Sequence, residues 1–341
     1  MSHATAKRLD VGGIPVIDVA PLGGGAADAV AAVGGEMREA AARIGFFYVR
    51  NHGIDADVIA SAEAIARRFF AEPLERKLEV RPVDLHRGFL HVGQARMYDK
   101  AKVDLKESFL WGLDVDGDDP DYRAGNRMIG PNRWPAFLPE MRPVLNAYLD
   151  AAHGCAKRLL RALAASLGAA EDYFVRRFDK PISRGSLIYY PPQDPAAGAD
   201  QFGVAPHTDY GVITLLHQDD VGGLEVATRA GEWVTAQPIP GTLVINSGDL
   251  LGRWSNDRFK SNPHRVVNSS ARERLSIAVF ADPDFDTPIV PVTAPGEDAK
   301  YPEVRCGEYI LGRFDAAFAY RRFRPKETAR RPPRSRRRTP A

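Results

Sequence analysis

Three stretches decide how this chain folds: Val212-Ile213-Thr214-Leu215-Leu216-His217, Thr242-Leu243-Val244-Ile245-Asn246 and Arg274-Leu275-Ser276-Ile277-Ala278-Val279-Phe280-Ala281. Each is rich in β-branched and aromatic residues and shorter than an ordinary helix. Four more of the same kind surround them: Ser186 to Tyr190, Leu224 to Val226, Trp233 to Ala236 and His264 to Val267. Turn formers separate the set, at Pro191-Pro192, Gly222-Gly223, Pro240-Gly241, Ser247-Gly248 and Asn262-Pro263. Short strands broken by such turns predict a double-sheet roll or sandwich rather than a parallel α/β sheet. The chain has no GxGxxG or Walker-type loop to seat a nucleotide.

The N-terminal part has a different pattern. Ile14 to Asp18 and Gly45 to Val49 read as strands, and Ala26 to Ile44 and Ala56 to Phe70 as helices, the first loosened by Gly34 and Gly35. Residues 81–135 are turn-rich, with a strand-like piece at Glu107 to Trp111. A long helix is expected from about Pro139 to Leu167 and a last one from about Gly307 to Tyr320.

Composition bounds the class. The 341 residues are 44% apolar and 26% charged, the balance of a globular chain that can bury a core, which excludes disorder throughout. Net charge is +2, yet residues 321–341 carry ten basic residues and one acid, leaving residues 1–320 at −7. The tail, with Pro332-Pro333 and dense arginine, is expected to be disordered. Cys155 and Cys306 cannot build a disulfide framework or a multi-thiolate metal site and suit a reducing compartment. The polar N-terminus and the lack of a long apolar run predict a cytoplasmic protein that does not span a membrane.

The chemistry points to metal binding. On an extended strand residues i and i+2 share a face, so a His-x-Asp triplet can offer two ligands to one ion. Two triplets occur, His207-Thr208-Asp209 and His217-Gln218-Asp219. Asp219 runs into Asp220-Val221-Gly222-Gly223, which reads as a solvated turn, whereas the pair His207 and Asp209 opens a strand and is followed by Tyr210-Gly211 and then an apolar run. The first pair is therefore the candidate. His264, which starts another strand, supplies a third ligand. Two His and one carboxylate leave three positions open on an octahedral ion, which suits non-haem Fe(II) and O₂; zinc with a water is the competing reading. Arg274-Leu275-Ser276 lies a six-residue connection after the strand of His264, so a hairpin is expected to set the two strands side by side. Arg274 and Ser276 then share a face and can grip an organic acid next to the metal.

In combination these residues resemble the 2-oxoglutarate and Fe(II)-dependent dioxygenases of the isopenicillin N synthase-like superfamily. The likeness is carried by Ile14 to Asp18, Gly45 to Ile54, Lys106-Glu107-Ser108-Phe109, Asn132-Arg133-Trp134-Pro135, His207-Thr208-Asp209, Gly248-Asp249, His264-Arg265-Val266 and Arg274-Leu275-Ser276. It implies a distorted double-stranded β-helix, or jelly roll, with an α/β N-terminal region. The implied organisation is residues 1–182 of the non-haem dioxygenase N-terminal type with the long helix packed on the core, the oxygenase core and C-terminal helix over 183–320, and the tail over 321–341. It further implies His207, Asp209 and His264 as iron ligands, and Arg274, Ser276 and Tyr190 as the grip on the distal carboxylate of 2-oxoglutarate. With O₂, such enzymes convert 2-oxoglutarate to succinate and CO₂ while hydroxylating, desaturating or cyclising a small organic metabolite.

Two other readings stay open at this level. One is an ethylene-forming or 2-oxoglutarate-independent oxidase of the same family. The other is a non-catalytic jelly roll that binds nucleic acid through its tail, which the acidic body disfavours, so no nucleic-acid partner is expected. Oligomeric state is not legible. Phe89, Met97, Phe109, Phe280 and Phe314 are candidates for the substrate pocket. His52 reads as a turn element, Tyr189 as core, Asp249 as a structural acid and Arg265 as its possible partner, while His86, His91 and His153 lack metal spacing.

Overall fold

The computed structural model describes residues 13–83, 85–94, 104–193, 201–228, 230–267 and 270–317. Met97, the basic tail and the end of the last predicted helix lie outside the described residues. Strand β1 (Val16–Asp18) pairs in parallel with β2 (Phe46–Arg50), and α1 (Ala27–Arg43) connects them. In α2 (Ala56–Phe70) the Asp55 carboxylate caps the first turn by accepting from the Asp57 N–H at 2.9 Å. α3 (Leu74–Leu78), the antiparallel pair β3 (Gly88–Leu90) and β4 (Glu107–Gly112), short α4 (Pro120–Arg123) and long α5 (Met141–Ser166) follow. Gly34 does not loosen α1. A Cβ there would lie 2.5 Å from the Ala162 carbonyl oxygen, so the glycine lets α1 close against α5.

The second half runs β5 (Arg184–Tyr190), β6 (Val204–His207), β7 (Ile213–Gln218), β8 (Leu224–Ala227), β9 (Trp233–Thr235), β10 (Thr242–Ser247), α6 (Asp249–Trp254), β11 (His264–Val266), β12 (Arg274–Ala281), β13 (Pro288–Ile289), β14 (Val304–Arg305) and α7 (Cys306–Ala317). All the strands predicted from Ser186 onward form. β6 is additional to them: it contains Pro206 and runs along a sheet edge, where a missing N–H is tolerated.

The strands make an eight-stranded sheet, β1-β2-β10-β7-β12-β5-β4-β3, and a four-stranded sheet, β6-β11-β8-β9. Alternation assigns the two faces of the larger one. Phe47, Val49, Leu187, Leu215, Leu275, Ile277 and Val279 join one core with α1, α2 and α5. Phe46, Tyr48, Tyr190 and Val244 join another with Val204, Leu224, Val226 and Val266 of the smaller sheet. The molecule is thus layered as helices, large sheet, small sheet, and the jelly roll is the pair of sheets. Register is fixed strongly, because a one-residue slip of β12 would drive Arg274 and Ser276 into the helix-side core.

The expected hairpin between β11 and β12 does not exist. β11 pairs with β6 and β8, and β12 pairs with β5 and β7. The intervening connection crosses from one sheet to the other. Arg274 and Ser276 still share a face, but they meet the histidines across the space between sheets. Among the described residues no helix is long and apolar enough to cross a membrane.

Candidate active site

His264 and His207 are register partners on antiparallel β11 and β6, with ring centres 4.2 Å apart. Cross-strand pairing, rather than proximity in sequence, joins them. His207 is the last residue of β6, not the start of a strand as expected, and Asp209 lies in the irregular segment that leads to β7. The carboxylate is therefore positioned by other means than strand alternation. Its Oδ2 accepts from Thr214 Oγ1 at 2.6 Å and Asn246 Nδ2 at 2.7 Å, both on the large sheet. Oδ1 is turned to the histidines, 3.9 Å from His207 Nε2 and 3.8 Å from His264 Nε2. Among the described residues this is the one group of three His, Cys, Asp or Glu side chains with ligand atoms within 4.8 Å of one another.

Protonation suits a cation. His207 Nδ1 lies 2.9 Å from the Ala205 carbonyl and His264 Nδ1 3.3 Å from that of Asn262. A carbonyl oxygen can only accept, so each Nδ1 carries the proton and each Nε2 offers its lone pair to the centre. Burial, and then the charge of His264, push the His207 pKa down and keep it neutral. Burial disfavours the Asp209 carboxylate. The neighbouring His264 and His207 and the bonds from Asn246 and Thr214 outweigh that and hold its pKa below the usual carboxylate range. Two imidazole nitrogens and one carboxylate oxygen facing one point form a donor set that fits Fe(II).

The segment carrying Asp209 is pinned from behind. The Asp249 N–H, at the start of α6, donates to the Asp209 carbonyl at 2.8 Å, and Asp249 Oδ2 accepts from Thr208 Oγ1 at 3.2 Å and meets Arg313 Nη1 at 3.0 Å. Arg265 pairs with Glu225 at 2.6 Å, not with Asp249. The Val212 N–H donates to Asp282 Oδ1 at 2.9 Å, and a Cβ on Gly211 would lie 2.0 Å from that oxygen. Gly211→Ala should therefore displace Asp282 and lower stability by about 1–3 kcal/mol. Thermal denaturation checks this, and an unchanged melting temperature would refute the crowding.

Arg274 is wholly buried. Its Nε donates to the Gly222 carbonyl at 2.5 Å, while Nη1 to Ser276 Oγ and Nη2 to Gln218 Oε1 are long, at 3.3 and 3.4 Å. No carboxylate pairs with it among the described residues. Tyr190, its register partner on β5, lies beneath the guanidinium, with 4.7 Å from Cζ to the ring centre. Tyr189 points to the opposite face and stacks on Phe70.

One cavity between the sheets connects these groups. Phe280 and Phe314 line it. Phe89 and Phe109 do not: Leu90, Ser108 and Leu110 face the cavity, so alternation turns the two phenylalanines to the helix side, where both pack on Phe69. Arg184 and Tyr210, which were not among the expected residues, also line the cavity, together with Lys106 and His86. For Arg184 a signal existed, since the period of two that ends at Tyr190 runs back through Ile188 and Ser186 to it. His52 is a turn element, its Nδ1 accepting from the Ile54 N–H at 3.1 Å. His217 bonds Glu63 at 2.8 Å, away from the triad. Asp219 is buried rather than solvated: Oδ2 accepts from the Leu275 N–H at 2.6 Å and Oδ1 from the Val221 N–H at 3.1 Å.

Residues 183–283 match the model of the 2OG-Fe(II) oxygenase superfamily, and residues 14–137 match that of the non-haem dioxygenase N-terminal region described from morphine synthesis. A 2-oxoglutarate-Fe(II) type oxidoreductase of Emericella nidulans is 34% identical over 326 residues, covering 92% of this chain and 93% of that one. This chain belongs to the 2OG-Fe(II) oxygenase superfamily. A homoarginine-6-hydroxylase of Oryza sativa subsp. japonica is also 34% identical, over 89% of this chain and 96% of its own. Among solved structures, a full-length Neurospora crassa protein in complex with alpha-KG superposes with a TM-score of 0.79 at 31% identity, covering 89% of this chain and 96% of that chain. The rice dioxygenase for auxin oxidation gives 0.68 at 29% identity, covering 89% and 95%. The protein is a 2-oxoglutarate- and Fe(II)-dependent dioxygenase acting on a small organic molecule.

Proposed function

We propose that His207, Asp209 and His264 hold the Fe(II), that Arg274, Ser276 and Tyr190 receive the distal carboxylate of 2-oxoglutarate, and that a metabolite bound near Phe280 and Phe314 is hydroxylated at a C–H bond. The observation that carries this reading is the pairing of two features in one cavity. One is a converging N₂O donor set, and the other a wholly buried guanidinium with no carboxylate partner among the described residues. A buried cation left unpaired is costly, so an incoming anion is the natural complement.

Bound Fe(II) supplies O₂ activation coupled to decarboxylation of 2-oxoglutarate to succinate and CO₂. The side chains do the positioning. Thr214 and Asn246 occupy Asp209 Oδ2 and so present Oδ1 as the single donor oxygen. The carbonyls of Ala205 and Asn262 hold each imidazole proton on the side away from the centre. At Arg274 the short Nε bond fixes the guanidinium plane, and the two long Nη contacts are the ones a carboxylate replaces with stronger, charge-assisted bonds. The aliphatic and aromatic walls keep the centre dry, which strengthens all of these interactions.

The test is direct. Purified protein with Fe(II), ascorbate, O₂ and 2-oxoglutarate should form succinate, and a metabolite library should contain compounds that stimulate it. No succinate under any condition would overturn the reading. Asn246→Ala should weaken iron binding by roughly 10–100-fold, the usual cost of losing a partner that orients a metal ligand. Equilibrium iron titration measures this, and an unchanged affinity would remove Asn246 from the scheme.

A further inference from the structure

Arg184 opens β5 and lines the cavity. Its register partner on β12 is Phe280, whereas Tyr190, at the other end of β5, partners Arg274. The two arginines thus stand about 20 Å apart along the strands. Arg184 is 4% exposed and has few partners. Nη1 donates to Asp282 Oδ2 at 2.9 Å. Cζ lies 4.5 Å from the ring centre of Phe280 and 4.7 Å from that of Phe314. The rings take up its faces, so the Nε/Nη2 edge is what it can still offer, and neither nitrogen has a hydrogen-bond partner among the described residues.

The charge around it is unbalanced. Arg87 is 2% exposed, spends Nη1 and Nη2 on the carbonyls of His86 and Met128, and leaves Nε without a partner. Burial, then the charge of Arg184, push its pKa down to about 10, so it stays cationic at neutral pH. Asp282 pairs with Arg184 alone, and its other oxygen is already committed to the Val212 N–H, so the neighbouring Arg87 has no carboxylate of its own among the described residues. Elsewhere in the cavity charge cancels. Lys106 faces Asp104 at 3.5 Å, and on the reading above iron, Asp209, 2-oxoglutarate and Arg274 sum to neutrality. Arg184, Arg87 and Asp282 together leave one positive charge, behind the cavity end lined by Arg184, Phe280 and Phe314.

We propose that the substrate is an organic monocarboxylate, gripped by the Nε/Nη2 edge of Arg184, with its apolar body against Phe280, Phe314, Leu90 and Leu110. The assignment of this ligand as the molecule oxidised rests on the dioxygenase reading; its binding does not.

Calorimetric titration without oxygen, on protein loaded with Fe(II) and saturating 2-oxoglutarate, tests this. The probes are phenylacetate, cyclohexanecarboxylate and hexanoate, each against its primary amide. At least one acid should bind about tenfold or more tightly than its amide, since only the acid can form charge-assisted bonds to the guanidinium edge. Arg184→Lys keeps a cation for Asp282 but loses the planar fork, and should reduce that preference to about threefold or less. The wild-type comparison stands even if the variant folds poorly. Amides binding as well as acids, no binding of any probe, or an acid preference that survives in Arg184→Lys would each overturn the proposal. Succinate formation is followed separately. Its absence alongside an intact acid preference would sink the dioxygenase reading alone, and its presence without that preference would sink this proposal alone.

Discussion

Asp209→Ala should abolish iron binding and succinate formation together. The change removes the one carboxylate among the three converging ligand atoms, whose partners stand at 3.8 and 3.9 Å. It also strips the buried Asn246 amide of its acceptor. Loss of a ligand should exceed the roughly 10–100-fold that follows loss of a supporting partner, so the affinity should fall by more than a hundredfold. His207→Ala and His264→Ala should behave alike. His217→Ala is the contrast. It belongs to the second His-x-Asp triplet but pairs with Glu63 at its own end of β7, a half-exposed bond worth about 0–1 kcal/mol. Iron content and turnover should stay near wild type. Iron retained in Asp209→Ala and lost in His217→Ala would reverse the assignment.

Arg274→Ala should leave iron in place and raise the 2-oxoglutarate concentration needed for half-maximal succinate formation. Removing one partner of a buried ion pair costs about 3–5 kcal/mol, or roughly 10²–10⁴-fold. Arg274→Lys should recover only part of this. The ammonium keeps the charge, but it cannot hold the Gly222 carbonyl through Nε while offering two more nitrogens in the same plane. Steady-state titration of 2-oxoglutarate at saturating iron decides the matter. An unchanged half-saturation point in Arg274→Ala would place the cosubstrate elsewhere in the cavity.

The two His-x-Asp triplets show where sequence reasoning is strong and where it fails. His207-Thr208-Asp209 was separable from His217-Gln218-Asp219 by its flanks, yet the argument from strand alternation does not describe the geometry. His207 ends β6, and Asp209 is set by Thr214, Asn246 and the N–H of Asp249. Asp219, expected in water, is buried because it binds the backbone of Leu275 across the fold. Local composition reports turn propensity; it does not report what a long-range neighbour will cover.

By itself the sequence determined the double-sheet class, every strand of the two sheets from Ser186 onward except β6, and the residues His207, Asp209, His264, Arg274 and Ser276 as the chemical candidates. Periodicity and motif spacing are local, and they survive in the chain whatever it packs against. Tertiary structure alone decided that β11 and β12 lie in different sheets, that Phe89 and Phe109 face the helices, and that Arg184 pairs with Asp282 while Arg87 is buried with no carboxylate among the described residues. Those outcomes depend on strand order and on which face meets which layer. A one-residue change of register inverts every face, and nothing in a single strand's own residues states its neighbours.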